Sequence, residues 1–172
     1  PLTCAATSFA IEANNLRIKW VDVDPDTCNM DLEDLKDKVQ SSQIGAIMLV
    51  HWGGFPVNVA AVRKILAEAG KPDLPIIEDC AHAHGAKWNN SGAGTIGHFG
   101  SFSLQSSKTL TTGEGGILLC KTPELAAKAA SIIDCGRPHA LGGGAEDDSQ
   151  DYWRTDTLIV EVNGTAADDV TV

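Results

Sequence analysis

Residues 46–78, AIMLVHWGGFPVNVAAVRKILAEAGKPDLPIIE, change their hydrophobic periodicity twice. Ala46 to His51 is a continuous apolar run, the form a strand takes when both of its faces are buried. Gly53-Gly54-Phe55-Pro56 breaks it. From Val57 to Ala69 the spacing becomes helical, with Val59, Val62, Ile65 and Leu66 on one face and Gly70 as a C-terminal stop. Leu74 to Glu78 is again a short apolar strand. Strand, helix and strand in this order make a βαβ unit, which implies a parallel sheet covered by helices. Ligands of such sheets collect beyond the carboxyl ends of the strands.

The flanking sequence extends the pattern. Ile18 to Val23 alternates apolar and polar residues and runs into Asp24-Pro25-Asp26, which predicts a strand followed by a turn. Asn29 or Asp31 is placed to cap a helix through Leu32, Leu35 and Val39. Phe99 to Leu104 and Gly116 to Cys120 read as further strands. Thr122 and Pro123 open a helix reaching Ile133. Gly142 to Asp148 has the composition of a flexible acidic linker, followed by one short apolar run from Leu158 to Val162. The residues just after the strands are therefore His51, Asp79, the stretch Ser103 to Lys108, and the loop after Cys120.

The composition narrows the function. Of 172 residues, 43% are apolar and 21% charged, which suits a packed globular domain and excludes global disorder. No apolar stretch approaches the ~20 residues of a membrane-spanning helix. The net charge of −10 repels a phosphate backbone, so nucleic acid is not an expected partner. The chain opens at Pro1 without a basic and apolar leader, and no signal peptide is expected. Cys4, Cys28, Cys80, Cys120 and Cys135 are odd in number and include no CxxC pair. They read as reduced thiols, and a cytoplasmic protein is expected.

Two segments carry candidate chemistry. In Glu78-Asp79-Cys80-Ala81-His82-Ala83-His84-Gly85 a carboxylate ends an apolar strand, where it must be paired or solvated. Asp79 could equally begin the next element as a cap. His82 and His84 invite a metal reading, with Cys80 and His98 nearby, but no third ligand has suitable spacing, and no metal is expected. In Ser101 to Gly116 a single lysine, Lys108, stands in a run of hydroxyls and glycines between two strands. Such a run suits an anion, and a desolvated lysine there can attack an aldehyde. A plain polar surface loop is the alternative. Together, a carboxylate at one strand end and a lysine in a neighbouring loop meet the needs of pyridoxal phosphate (PLP), which requires an amine for its aldehyde and a carboxylate for its pyridine nitrogen.

On these residues the chain resembles the DegT/DnrJ/EryC1/StrS family of PLP-dependent aminotransferases, which act mainly on nucleotide-linked keto-sugars. The matching stretches are Pro1 to Thr7, Val21 to Asp24, Ala46 to Gly53, Ile77 to Ala86, and Phe102 through Lys108 to Gly116. The resemblance implies an α/β fold: the three-layer large domain of fold-type-I PLP enzymes, with a mostly parallel sheet and helices on both faces. It divides the chain into a PLP-binding portion at 1–138, a linker at 139–151, and an extension at 152–172 leading towards a C-terminal small domain that lies outside it. The resemblance makes Lys108 the catalytic lysine that holds the aldehyde, Asp79 the partner of the ring nitrogen, His82 a residue against the ring, and Ser103 a phosphate ligand. Cys4 stands where the family often has an aromatic residue, and Asn163 is the nearest match to an Asn that reaches a neighbouring subunit's cofactor. The implied function is transfer of an amino group, from glutamate, to a nucleotide-linked keto-sugar in polysaccharide or modified-sugar biosynthesis, by a homodimer. Two alternatives accompany it. One is a PLP-dependent dehydratase or isomerase of the same family; the family's deoxygenating members replace the lysine by His, against which Lys108 argues. The other is an incomplete, non-catalytic domain, because the family's upstream phosphate loop and its small domain are not matched.

Overall fold

The computed structural model describes residues 2–133 and the backbone of a strand at 157–161. The elements are α1 (Ala5–Glu12), α2 (Leu32–Ser41), β1 (Ile47–Val50), a 3-10 turn (Trp52–Gly54), α3 (Val59–Glu68), β2 (Ile76–Asp79), β3 (Lys87–Trp88), β4 (Ser91–Gly92), β5 (Phe99–Ser103), β6 (Gly116–Cys120), α4 (Pro123–Ile133) and β7 (Thr157–Glu161). Five strands form one sheet in the order β1-β2-β5-β6-β7. β1, β2 and β5 are parallel, β6 is antiparallel to β5, and β7 is parallel to β6. The expected α/β fold with a mostly parallel sheet is present. The reversal at β6 follows from its connection: the β5–β6 loop contains no helix to carry the chain back, so β6 returns from the end at which β5 finished.

Local chemistry sets the helices. Asp31, rather than Asn29, caps α2, accepting from Glu33 N at 2.8 Å and Asp34 N at 3.3 Å. Asn29 instead bridges to Phe55 O and Trp52 N. Asn58 caps α3 through Ala61 N, so this helix starts two residues later than its periodicity suggested. Gly70 ends it at φ +71°. The Gly70 N–H bonds to Ala67 O and the Lys71 N–H to Leu66 O, the paired bonds of a Schellman cap. The Lys71 ammonium then caps α2, donating to the carbonyls of Val39 and Ser42.

The core lies between these two helices and one face of the sheet. Leu35 and Val39 of α2 and Val59, Val62 and Leu66 of α3 pack with Ile47, Leu49 and Ile76. Alternation along the strands sends Met48, Val50, Ile77 and Asp79 to the opposite face. There α1 lies across the sheet, with no buried residue of its own.

Three features depart from the sequence reading. The predicted strand at Ile18–Val23 makes no ladder; its one bridge joins Val23 to Met30. The N–H of Asp22 goes to the Asp34 carboxylate, and Asp24 N and Asp31 N close a turn on Asn29 O and Asp22 O, so the segment pairs with its own return. α1 was not anticipated. The β3–β4 hairpin turns on Asn89 and Asn90, both at positive φ, a two-residue hairpin that the Asn-Asn pair could have signalled. Cys135, the linker at 139–151 and Asn163 lie outside the described residues, as does the extension at 152–172 apart from β7.

Candidate active site

The strand ends converge as the βαβ pattern requires. Asp79, the last residue of β2, lies in register with Val50 of β1 and Ser101 of β5, and Ser103 pairs with Gly116 of β6. The loop from Leu104 to Gly115 therefore leaves and re-enters the sheet at the edge where Asp79 ends β2. Asp79, Ser101 and Ser103 alternate onto the same face, the one crossed by α1.

Asp79 is half-buried and held at both oxygens. Its Oδ2 accepts the Thr7 hydroxyl at 2.7 Å, and its Oδ1 accepts Ala81 N–H at 3.1 Å. The Oδ1 bond closes a local turn, and the helix that the cap alternative expected after Asp79 does not form. Thr7 lies 2.7 Å from the Thr3 hydroxyl. Both threonines fall in the stretch that resembles the family, yet no role for Thr7 was legible there, because its partner lies far along the chain.

Lys108 is half-buried in a folded loop. Its backbone N–H bonds to Gln105 O, and Leu104 N and Thr112 N bond to Gly115 O and Leu104 O. Among the described residues its ammonium has no hydrogen-bond or ion-pair partner. Ser103 Oγ accepts the N–H of Gln105 at 3.3 Å, which leaves its hydroxyl proton free to donate. His82 is exposed, its ring set edge-on to Trp52 with centroids 5.6 Å apart.

Behind the strand ends sits a buried polar centre that the sequence reading missed. His51 and Glu78 are 1% and 0% exposed. Glu78 Oε1 accepts the N–H groups of Ile96 and Gly97, while Oε2 accepts that of Gly94 and lies 2.9 Å from His51 Nε2. The His51 ring accepts Val57 N–H at Nδ1, so its proton is on Nε2 and is donated to Glu78. Burial pushes the Glu78 carboxyl up, but the hydrogen bonds from His51, Gly97 and Gly94 outweigh it and hold the group below the usual carboxylate range.

Metal chemistry does not suit these residues. His51, Glu78 and Cys80 bring donor atoms within 4.8 Å of one another. The four acceptor positions of Glu78 are already filled, and burial, then the carboxylates of Glu78 and Asp79, push the Cys80 thiol far up, against the thiolate a metal needs. The histidines weighed from sequence are not gathered into a cluster among the described residues: His84 packs against Phe102, and His98 accepts Ile76 N–H at Nδ1.

A cavity of about 670 Å³ opens beneath α1, lined by Thr3, Thr7, Met48, Val50 and Ile77 among others, but neither Asp79 nor Lys108 lines it. The donor set at the strand ends fits PLP: a fixed carboxylate, a lysine without a competing partner, and hydroxyls in a loop on the same edge.

The DegT/DnrJ/EryC1/StrS aminotransferase family model matches residues 1–153. The chain is 36% identical over 138 residues to the L-glutamine:2-deoxy-scyllo-inosose aminotransferase of Micromonospora echinospora, covering 80% of this chain and 32% of that protein. A crystal structure of DesI in the presence of its TDP-sugar product superposes with a TM-score of 0.71 at 31% identity, over 78% of this chain and 33% of that one. The E. coli GDP-4-keto-6-deoxy-D-mannose-3-dehydratase with bound hydrated PLP gives 0.61 at 37% identity, over 67% and 28%. The chain thus spans about a third of the length of the curated relatives it matches. With the family's model matched across most of its residues and its fold present in the sheet and helices, the chain belongs to the DegT/DnrJ/EryC1/StrS aminotransferase family.

Proposed function

We propose that the protein is a PLP-dependent aminotransferase that moves an amino group from an amino acid to the keto group of a nucleotide-linked sugar. The observation that carries this reading is the edge shared by Asp79 and the Lys108 loop, with Asp79 and Ser101 in register. When bound, PLP supplies an aldehyde for amine exchange and a ring that takes up electron density from the substrate carbon. Asp79 would hold the ring N–H as a carboxylate, a charge-assisted hydrogen bond. Ser103 would donate to the phosphate. Lys108 would bind the aldehyde and, once displaced, carry a proton as a free amine. His82, beside Trp52, would form a wall of the site.

The dehydratase alternative is less well supported, because Lys108 stands where the resemblance puts His in deoxygenating members. The nucleotide-linked form of the substrate is favoured by the TDP-sugar in the DesI structure, while the inosose relative makes an unlinked cyclitol the compound to compare. The experiment adds L-glutamate or L-glutamine to the PLP-treated protein and follows the loss of its visible absorbance, in wild type and in Asp79→Asn. Rapid loss in wild type and at least a hundredfold slower loss in Asp79→Asn supports the reading. Equal rates would reduce Asp79 to a turn residue.

A further inference from the structure

α1 carries no buried side chain, and among the described residues its one hydrogen bond to the sheet is that of Thr7 to Asp79, 72 residues away. The direction of the bonds is determined. An ionised Asp79 only accepts, so the single Thr7 proton points to Oδ2, and the Thr3 hydroxyl must then donate to Thr7 Oγ1. The result is a chain of aligned hydroxyls, Thr3 to Thr7 to Asp79, in which each bond polarises the next. With Ala81 N–H on the other oxygen, the carboxylate is fixed in plane while each oxygen keeps acceptor capacity for a further donor.

We infer that Thr7, backed by Thr3, is a positioning residue that orients the Asp79 carboxylate for the cofactor's ring N–H, and that it couples cofactor binding to the docking of α1. This rests on the reading of Asp79 given above. The coupling follows from linkage. A ligand that needs Asp79 in its Thr7-bound orientation favours the docked helix, and the docked helix favours the ligand by the same factor.

The test titrates PLP into the wild-type protein and the Thr7→Val, Thr7→Ser, Thr3→Ala and Asp79→Asn variants, reading visible absorbance. It also measures hydrogen exchange of the α1 amides with and without PLP. Thr7→Val keeps the shape and removes the hydroxyl; it is expected to weaken PLP binding about tenfold, the scale of one lost hydrogen bond to a charged group. Thr7→Ser should restore binding to within about threefold, and Thr3→Ala should fall between. PLP should slow exchange in α1 of the wild type and leave it unchanged in Thr7→Val. Wild-type affinity in Thr7→Val, or failure of Thr7→Ser to restore it, overturns the positioning role, as does α1 protection that persists without the hydroxyl. Wild-type affinity in Asp79→Asn, or no absorbance change in the wild-type protein, overturns the underlying reading of the site instead. Melting curves without PLP show whether each variant is folded; should Thr7→Val fail to fold, the Thr7→Ser and Thr3→Ala titrations decide.

Discussion

Glu78→Gln should be among the most damaging single substitutions in the molecule, although it changes one atom. The carboxylate accepts four donors, two on each oxygen: Ile96 and Gly97 on one, Gly94 and His51 on the other. A glutamine offers one oxygen, enough for two of them, and turns an NH2 group towards the remaining two. Each buried donor left without an acceptor costs about 1–3 kcal/mol, so the loss is about 2–6 kcal/mol. A domain of this size is stable by about 5–15 kcal/mol in total. Urea unfolding followed by circular dichroism, with the slope checked for constancy, measures the difference. The sign of the pH dependence is also set. The folded carboxyl titrates below its unfolded value of about 4.3, so its contribution is complete above that pH and is lost as pH falls through the folded value. The glutamine variant should lack this part of the acid slope. A loss under 1 kcal/mol, or an unchanged acid slope, would refute the account of this centre.

Other substitutions probe other links. Gly100→Ala places a Cβ 2.2 Å from the carbonyl oxygen of Gly94, where the 93–97 loop lies on β5; this backbone contact cannot yield, and the variant should fail to accumulate as folded protein in an expression and melting assay. His98 accepts Ile76 N–H at Nδ1, and burial, with help from Lys121 and Arg63, holds its pKa below the ordinary histidine range. Stability should therefore decline as pH drops below about 6.5, and His98→Asn, whose side-chain oxygen can replace Nδ1, should flatten that decline in urea titrations between pH 7.5 and 5.5. Lys108→Ala should leave the melting temperature within about 2 °C of wild type, since among the described residues its ammonium has no hydrogen-bond or ion-pair partner to lose, while abolishing covalent capture of PLP.

Periodicity carried the fold as far as local signals reach. The apolar runs at Ile47–Val50 and Ile76–Asp79, with the Val59, Val62 and Leu66 face between them, were legible from their own residues, although the strands are fully buried on one face only, at Ile47, Leu49, Ile76 and Glu78, and not on both as the continuous run suggested. Ile18–Val23 has the alternation of a strand, but its partners are decided by Asp34 and its own turn, which alternation does not encode. The site divides along the same line. Asp79, Ser103 and Lys108 were visible as residue types at strand ends. The contacts that hold the strand ends, Thr7 on Asp79 and the loops gathered by Glu78, join residues far apart in sequence, and no spacing rule points to them. His51 was noted only as a residue at a strand end; the structure makes it a buried donor to Glu78.

The central claim is that Lys108 captures an aldehyde at the edge where Asp79 ends its strand. Treating the protein with PLP, reducing with borohydride and mapping the labelled peptide tests it directly. The account predicts one modified residue, Lys108, with visible absorbance before reduction and far less label in Asp79→Asn. Label on Lys87 or Lys121, or none at saturating cofactor, would contradict it.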